Sequence, residues 1–97
     1  MLEKDVEKLL VESAEGAGGE AYKFVVPGRR GAPDRLVLLP VPPEHRAIVG
    51  KYVRFYEMKR PGEKPRVQQE RWLRRLRELG YRAEVLSSKV AVNDEEF

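Results

Sequence analysis

Residues 66–79 place the tightest constraint on what this chain can fold into. Trp72, Leu73, Leu76 and Leu79 recur at helical spacing, and Gly80 follows as a stop. Such a stretch is an amphipathic helix, which needs an apolar surface to lie on. The segments on either side can supply it. Arg82–Leu86 reads as a core strand, with Val90–Val92 as a further short edge. Upstream, Lys51–Lys59 alternates in the manner of a strand. Val53, Phe55, Glu57 and Lys59 fall on one face, and Tyr52, Arg54, Tyr56 and Met58 on the other. Pro61–Pro65 is the turn between this strand and the helix.

The first half is punctuated more heavily. Residues 3–15 predict a helix, with Leu2, Val6, Leu9, Leu10 and Ser13 along one stripe and Gly16, Gly18 and Gly19 ending it. Tyr22–Val26 is a short β-rich run, Pro27–Pro33 a tight basic loop, and Arg35–Leu39 a second strand. Residues 40–50 carry three prolines and read as a loop with room for one helical turn. The order α-β-β-β-α-β predicts an α/β layered domain, and 97 residues suffice for a single domain spanning 1–97.

Composition excludes several chemistries. There are no cysteines, which removes disulfides, thiolate zinc sites and thiol nucleophiles. No stretch approaches the roughly 20 apolar residues of a membrane span. The N-terminus is acidic and amphipathic rather than a signal peptide, so the expected location is the cytoplasm. The net charge of +3 conceals an asymmetry: residues 1–21 hold two Lys against six acids, and residues 22–89 hold seventeen Lys and Arg against seven acids. An Arg-rich central block suits bidentate contacts to phosphate, and equally an Arg-rich surface of no special function.

The chemistry is concentrated at three places. Pro33-Asp34 opens the second strand, Glu57-Met58-Lys59 closes the third, and Gln69 lies on the inner face of the long helix. Residues two apart in a strand point the same way, so Glu57 and Lys59 project a carboxylate and an ammonium together. The Met58 carbonyl and Asp34 could complete an oxygen-rich set for Mg²⁺ or Mn²⁺, with Lys59 offsetting charge on a phosphate. An E-x-K pair alone says little in a chain with 36% charged residues, where a surface ion pair is the ordinary alternative. An inward amide at Gln69 must find partners or cost about 1–3 kcal/mol. A site water, a phosphate or a loop carbonyl would each serve.

The runs from Lys23 to Pro40 and from Phe55 to Arg66, followed by Gln69 and Leu76-Arg-Glu-Leu-Gly80, resemble the VRR-NUC domain signature. That family belongs to the PD-(D/E)XK nuclease superfamily, and the resemblance runs from about Glu3 to Leu86. It implies a restriction-endonuclease-like mixed β-sheet flanked by α-helices. It also implies a divalent-metal phosphodiesterase site, with Asp34 and Glu57 as ligands, Lys59 as the catalytic lysine and Gln69 as the helix glutamine. An acidic residue on the first helix completes the metal site in the family; Glu3 fits best here and Glu7 is second. Stand-alone domains of this size resemble phage or bacterial members, similar to homodimeric structure-selective nucleases that include Holliday-junction resolvases. For a phage-encoded member the location would be the bacterial host cell. Loop 40–50 is longer and richer in proline than the hairpin the family would lead one to expect.

Lys23, Arg29, Arg30, Arg35, Arg60, Lys64, Arg71 and Arg75 are the candidate DNA contacts, with Arg29 and Arg30 in a glycine-flanked loop just before Asp34. Arg71, Arg74, Arg75 and Arg77 lie outside the helix's apolar stripe and suit a phosphate track or a solvated face. His45 reads as a loop histidine, Trp72 as core packing, and Asp94-Glu-Glu96 as a frayed acidic tail. The expected function is a Mg²⁺- or Mn²⁺-dependent DNA endonuclease acting on branched or duplex DNA, assembled as a homodimer. Tyr52, Tyr56, Met58, Ile48 and Val49 are candidate interface material. The alternative is a non-catalytic nucleic-acid-binding module on the same fold.

Overall fold

A computed structural model describes residues 2–97. It divides into two compact units, the first ending at Pro40 and the second running from Val41 to Phe97.

In the first unit, helix α1 (Glu3–Gly16) leads into strand β1 (Glu20–Lys23), which pairs antiparallel with β2 (Arg35–Leu38). The register sets Glu20 against Leu38 and Lys23 against Arg35. Gly18 ends α1 with φ +83°, while the Gly19 N–H donates to Ala14 O at 2.9 Å and the Gly18 N–H to Glu15 O at 2.9 Å. That pair of bonds is the Schellman arrangement, which needs a left-handed residue where Gly18 stands. Gly19 is required for a different reason: a Cβ there would lie 2.3 Å from Leu38 O. The chain can therefore turn from helix to strand in three residues. Ala14, Ala21 and Leu38 are the buried apolar residues of this unit, whereas Leu2, Val6, Leu9 and Leu10 along α1 are exposed.

The second unit opens with a 3₁₀ turn (Pro43–His45) that runs into helix α2 (Arg46–Tyr52). Strand β3 (Arg54–Met58), helix α3 (Val67–Glu78), strand β4 (Arg82–Leu86) and helix α4 (Lys89–Asn93) follow. β3 and β4 are parallel, in register from Arg54↔Arg82 to Met58↔Leu86. Parallel strands need a crossover, and α3 provides it. Gly80, at φ +96°, ends α3 as Gly18 ends α1, with the Tyr81 N–H donating to Leu76 O at 3.0 Å. Leu73, Leu76, Leu79, Ala83 and Leu86 are the buried residues of the α3–β4 layer, and Phe55 meets Tyr81 edge to face at 6.0 Å.

The α/β class and all six expected elements are present, the first strand at Glu20–Lys23 rather than 22–26, and the strands pair two by two. Four local expectations are corrected. Residues 40–50 are not mainly loop: Pro43 starts a helical turn, where a missing N–H costs nothing, and α2 continues from it to Tyr52. Arg54 stabilises the end of α2, its guanidinium donating to Gly50 O at 3.2 Å and Lys51 O at 3.1 Å. The third strand therefore starts at Arg54, and Tyr52 is a helix residue. Val90–Val92 is part of α4 rather than an edge strand, because the Ser88 hydroxyl caps it by accepting from the Ala91 N–H at 3.0 Å. Trp72 is 52% exposed rather than core. α3 packs chiefly on β4, so a sheet of two strands leaves the Trp72 flank of the stripe uncovered.

Candidate active site

In the second unit, Glu57 is the fourth residue of β3 and Gln69 sits in the first turn of α3. The Gln69 Nε2 donates to Glu57 Oε1 at 2.8 Å. Its own Oε1 accepts from the Arg66 N–H at 2.9 Å, so the amide is held at both ends. One end caps the start of α3 and the other steadies the carboxylate. The inward amide has thus found a carboxylate and a backbone N–H, not the loop carbonyl.

Lys59 follows β3, and its N–H donates to Leu86 O at 3.0 Å, which continues the strand pairing by one residue. The Lys59 Nζ lies 3.7 Å from Glu57 Oε1 and 3.7 Å from Glu63 Oε1, and the side chain is only 10% exposed. A lysine this sheltered between two carboxylates is confined to a narrow range of positions. Gln69 and Lys59 approach the same oxygen of Glu57, Oε1. Sequence reasoning misses Glu63, although its i+4 spacing from Lys59 across the Pro61–Pro65 turn is a usable signal. Phe55, Glu57, Gln69, Trp72 and Leu76 line one cleft of about 260 Å³, so the exposed flank of α3 borders the carboxylate.

In the first unit, Asp34 immediately precedes β2 and is exposed; its backbone oxygen accepts from the Phe24 N–H at 2.9 Å. Asp34, Glu3, Glu7, Val6, Leu10 and Arg35 line a second cleft, of about 380 Å³. Both helix candidates for the acidic ligand therefore reach the Asp34 cleft. Glu7 is already engaged, with Arg35 Nε donating to its Oε1 at 3.0 Å. Glu3 has no such partner among the ion pairs of the described residues. Arg35, a candidate DNA contact, is bound within the unit, since its Nη1 also donates to Ala21 O at 3.2 Å.

Arg29 and Arg30 stand exposed in a loop bounded by Gly28 and Gly31, each at φ +77°. Lys23, Arg60, Lys64 and Arg71 are also exposed, while Arg75 is half-buried with its Nη1 3.6 Å from Glu78 Oε2. His45 lies exposed at the end of the 3₁₀ turn. Among the described residues no three acidic or histidine side chains gather as a metal cage. No described helix is long and apolar enough to cross a membrane.

The acidic C-terminus is not wholly frayed. Glu95 Oε1 accepts from the Tyr56 hydroxyl at 2.6 Å, and Arg82 Nη2 donates to both Glu95 oxygens at 2.7 and 2.8 Å. The Tyr56 hydrogen bond, with Arg82 beside it, holds the Glu95 carboxyl below its usual range. Glu84, whose Oε1 accepts from Arg82 Nε at 3.1 Å, raises the Arg82 guanidinium further above its ordinary value. The Tyr56 hydroxyl is therefore engaged within the unit.

The VRR-NUC domain profile matches residues 5–90, across both units. A protein named "Putative nuclease p44", from Acyrthosiphon pisum secondary endosymbiont phage 1, is 49% identical over 87 residues, covering 90% of this chain and 84% of the relative. No solved structure matches the chain significantly.

Proposed function

The chain belongs to the VRR-NUC domain family of nucleases, and on that premise we propose that it is a divalent-metal-dependent DNA endonuclease. The observation that carries this reading is the Gln69–Glu57–Lys59 linkage, with hydrogen bond and ion pair converging on Glu57 Oε1. A carboxylate held in this way offers its remaining oxygen to a hard cation with little reorganisation.

The oxygen donors suit Mg²⁺ or Mn²⁺: the Asp34 and Glu3 carboxylates in the first unit, and the Glu57 carboxylate and Met58 carbonyl in the second, with no thiolate anywhere in the chain. Such an ion, when bound, polarises a phosphodiester and lowers the pKa of a coordinated water. Gln69 is a positioning residue that fixes Glu57. Lys59 supplies a sheltered positive charge for the oxygens that gain charge as the phosphodiester is attacked. Arg29 and Arg30 hold the backbone of the substrate through phosphate contacts.

We further infer a homodimer acting on branched DNA, because two symmetric cuts need two sites related by a two-fold axis. The exposed apolar stripe of α1, with Ile48 and Tyr52 of α2, supports self-association in a chain of 97 residues. The deciding experiment is cleavage of junction, flap and plain duplex substrates with Mg²⁺, Mn²⁺ or EDTA. Metal-dependent cutting that prefers branched DNA is the expected result. DNA binding without cleavage under every metal would favour the non-catalytic binding module instead.

A further inference from the structure

Beside the candidate site, and sharing Lys59 with it, a cleft of the second unit has about 530 Å³ of space, within the roughly 300–1,000 Å³ of small-ligand sites. It lies at the carboxyl ends of β3 and β4, where Met58 and Leu86 are the last residues of two parallel strands. Ligands of open α/β sheets enter at that end. Met58, Pro61, Leu86 and Val92 give it an apolar wall, and among the described residues no acidic side chain lines it. The charged residues of its lining are Lys59 and Lys89. Met58, the last residue of β3, is 60% exposed.

We propose that this cleft receives one unpaired nucleobase of the bound DNA strand. The proposal rests on the nuclease reading above and narrows its substrate to DNA with an unpaired or splayed nucleotide at the cutting point. Three properties select a base over other apolar occupants. Lys59 is shared between the cleft and the candidate catalytic group, so a phosphate beside Lys59 places its own base at the cleft mouth. The exposed Lys89, with no carboxylate among the described lining residues, complements a polyanionic strand. A polarizable thioether such as that of Met58 suits contact with a flat aromatic ring, and the lining residues Asn93 and Ser87 carry an amide and a hydroxyl that can pair with its polar edge. Duplex DNA keeps its bases stacked, so occupation costs least where a base is already unpaired.

The test uses the full chain in EDTA, with a duplex carrying one unpaired 2-aminopurine. Among the described residues no aromatic side chain lines the cleft, so a base leaving the DNA stack for it should brighten. Wild type should raise the emission on binding. Val92→Trp, which fills the cleft, should remove that rise while anisotropy reports the same affinity within about twofold. Lys89→Glu, on the exposed rim, should weaken binding of the unpaired substrate by several-fold more than that of a fully paired duplex, and serves if Val92→Trp does not fold. Wild-type binding without brightening, or brightening that survives Val92→Trp, overturns the cleft assignment. If the same protein cuts DNA with Mn²⁺, the nuclease reading stands while the cleft assignment falls. Absence of both binding and cutting overturns the two together.

Discussion

Gln69 Nε2 donates to Glu57 Oε1 at 2.8 Å, joining the first turn of α3 to the end of β3. Because the same amide also accepts from the Arg66 N–H at 2.9 Å, a single residue starts the helix and orients the carboxylate. The two roles are separable. Gln69→Glu retains an oxygen for the cap but places a second carboxylate against Glu57. It is expected to lower cleavage by at least about tenfold while the melting temperature changes little. Gln69→Ala removes the cap as well and should cost about 1 kcal/mol of stability. Thermal melts run beside single-turnover cleavage read the two effects. Wild-type cleavage by Gln69→Glu would remove Gln69 from the site.

Asp34→Ala and Glu57→Ala are each expected to abolish cleavage while leaving DNA binding intact or tighter. Each substitution deletes a metal donor and also a negative charge that repels phosphate. Gel-shift titration with a cleavage assay on the same substrate checks this. Cutting at the wild-type rate by either variant would show that the carboxylate is misassigned.

Lys59→Ala should lower turnover by orders of magnitude with little change in Mn²⁺ affinity, since its charge matters most as negative charge develops on the phosphate. Calorimetric Mn²⁺ titration separates this from a structural ion pair with Glu57, for which metal binding and turnover would fall together.

Replacing both Arg29 and Arg30 by Ala should weaken DNA binding and flatten its salt dependence. For every phosphate that the protein ceases to neutralise, the slope of log K against log salt becomes shallower by about 0.9. An unchanged slope would mean that the loop between Gly28 and Gly31 does not touch phosphate.

The Glu95 network predicts a pH dependence of stability. The Tyr56 hydroxyl and Arg82 lower the folded Glu95 pKa from 4.5. The stabilisation is therefore present above that unfolded value and is lost as the pH falls through the lower folded one. Glu95→Gln should melt at a lower temperature than wild type at pH 7, and the gap should close in acid. A gap of constant size down to strongly acid pH would contradict the assignment.

Sedimentation equilibrium at micromolar protein should report a dimer, and Val6→Lys with Leu9→Lys should shift it toward monomer if the exposed α1 stripe carries the interface. A wild-type monomer of 11.2 kDa, with and without DNA, would sink the symmetric reading and leave single-strand nicking as the better one.

Local patterns in the chain were enough to specify α1, α3 and the four strands to within a few residues, and to name candidate site residues. The stripe ending at Gly80 specifies α3 because burial period and stop signal agree, and the alternation around Phe55 and Glu57 specifies β3 for the same reason. The pairing of Glu57 with Lys59 also follows from strand geometry alone, since residues two apart share a face. Tertiary structure decided where local signals competed or where partners were distant in sequence. The β-branched run at Val90–Val92 favours a strand, yet the Ser88 hydroxyl caps it as a helix. The prolines before Arg46 suggest a loop, yet proline is harmless in a first turn, and Arg54 secures the far end of α2. Trp72 matches a core position by period, but a sheet of two strands is too narrow to cover it. The hydrogen bond from Tyr56 to Glu95 joins residues 39 apart, and no local pattern encodes a contact that exists only after the chain has closed on itself. The Glu57–Gln69 contact is of the same kind: periodicity faced the amide inward, and only the packed strand and helix supplied the carboxylate that receives it.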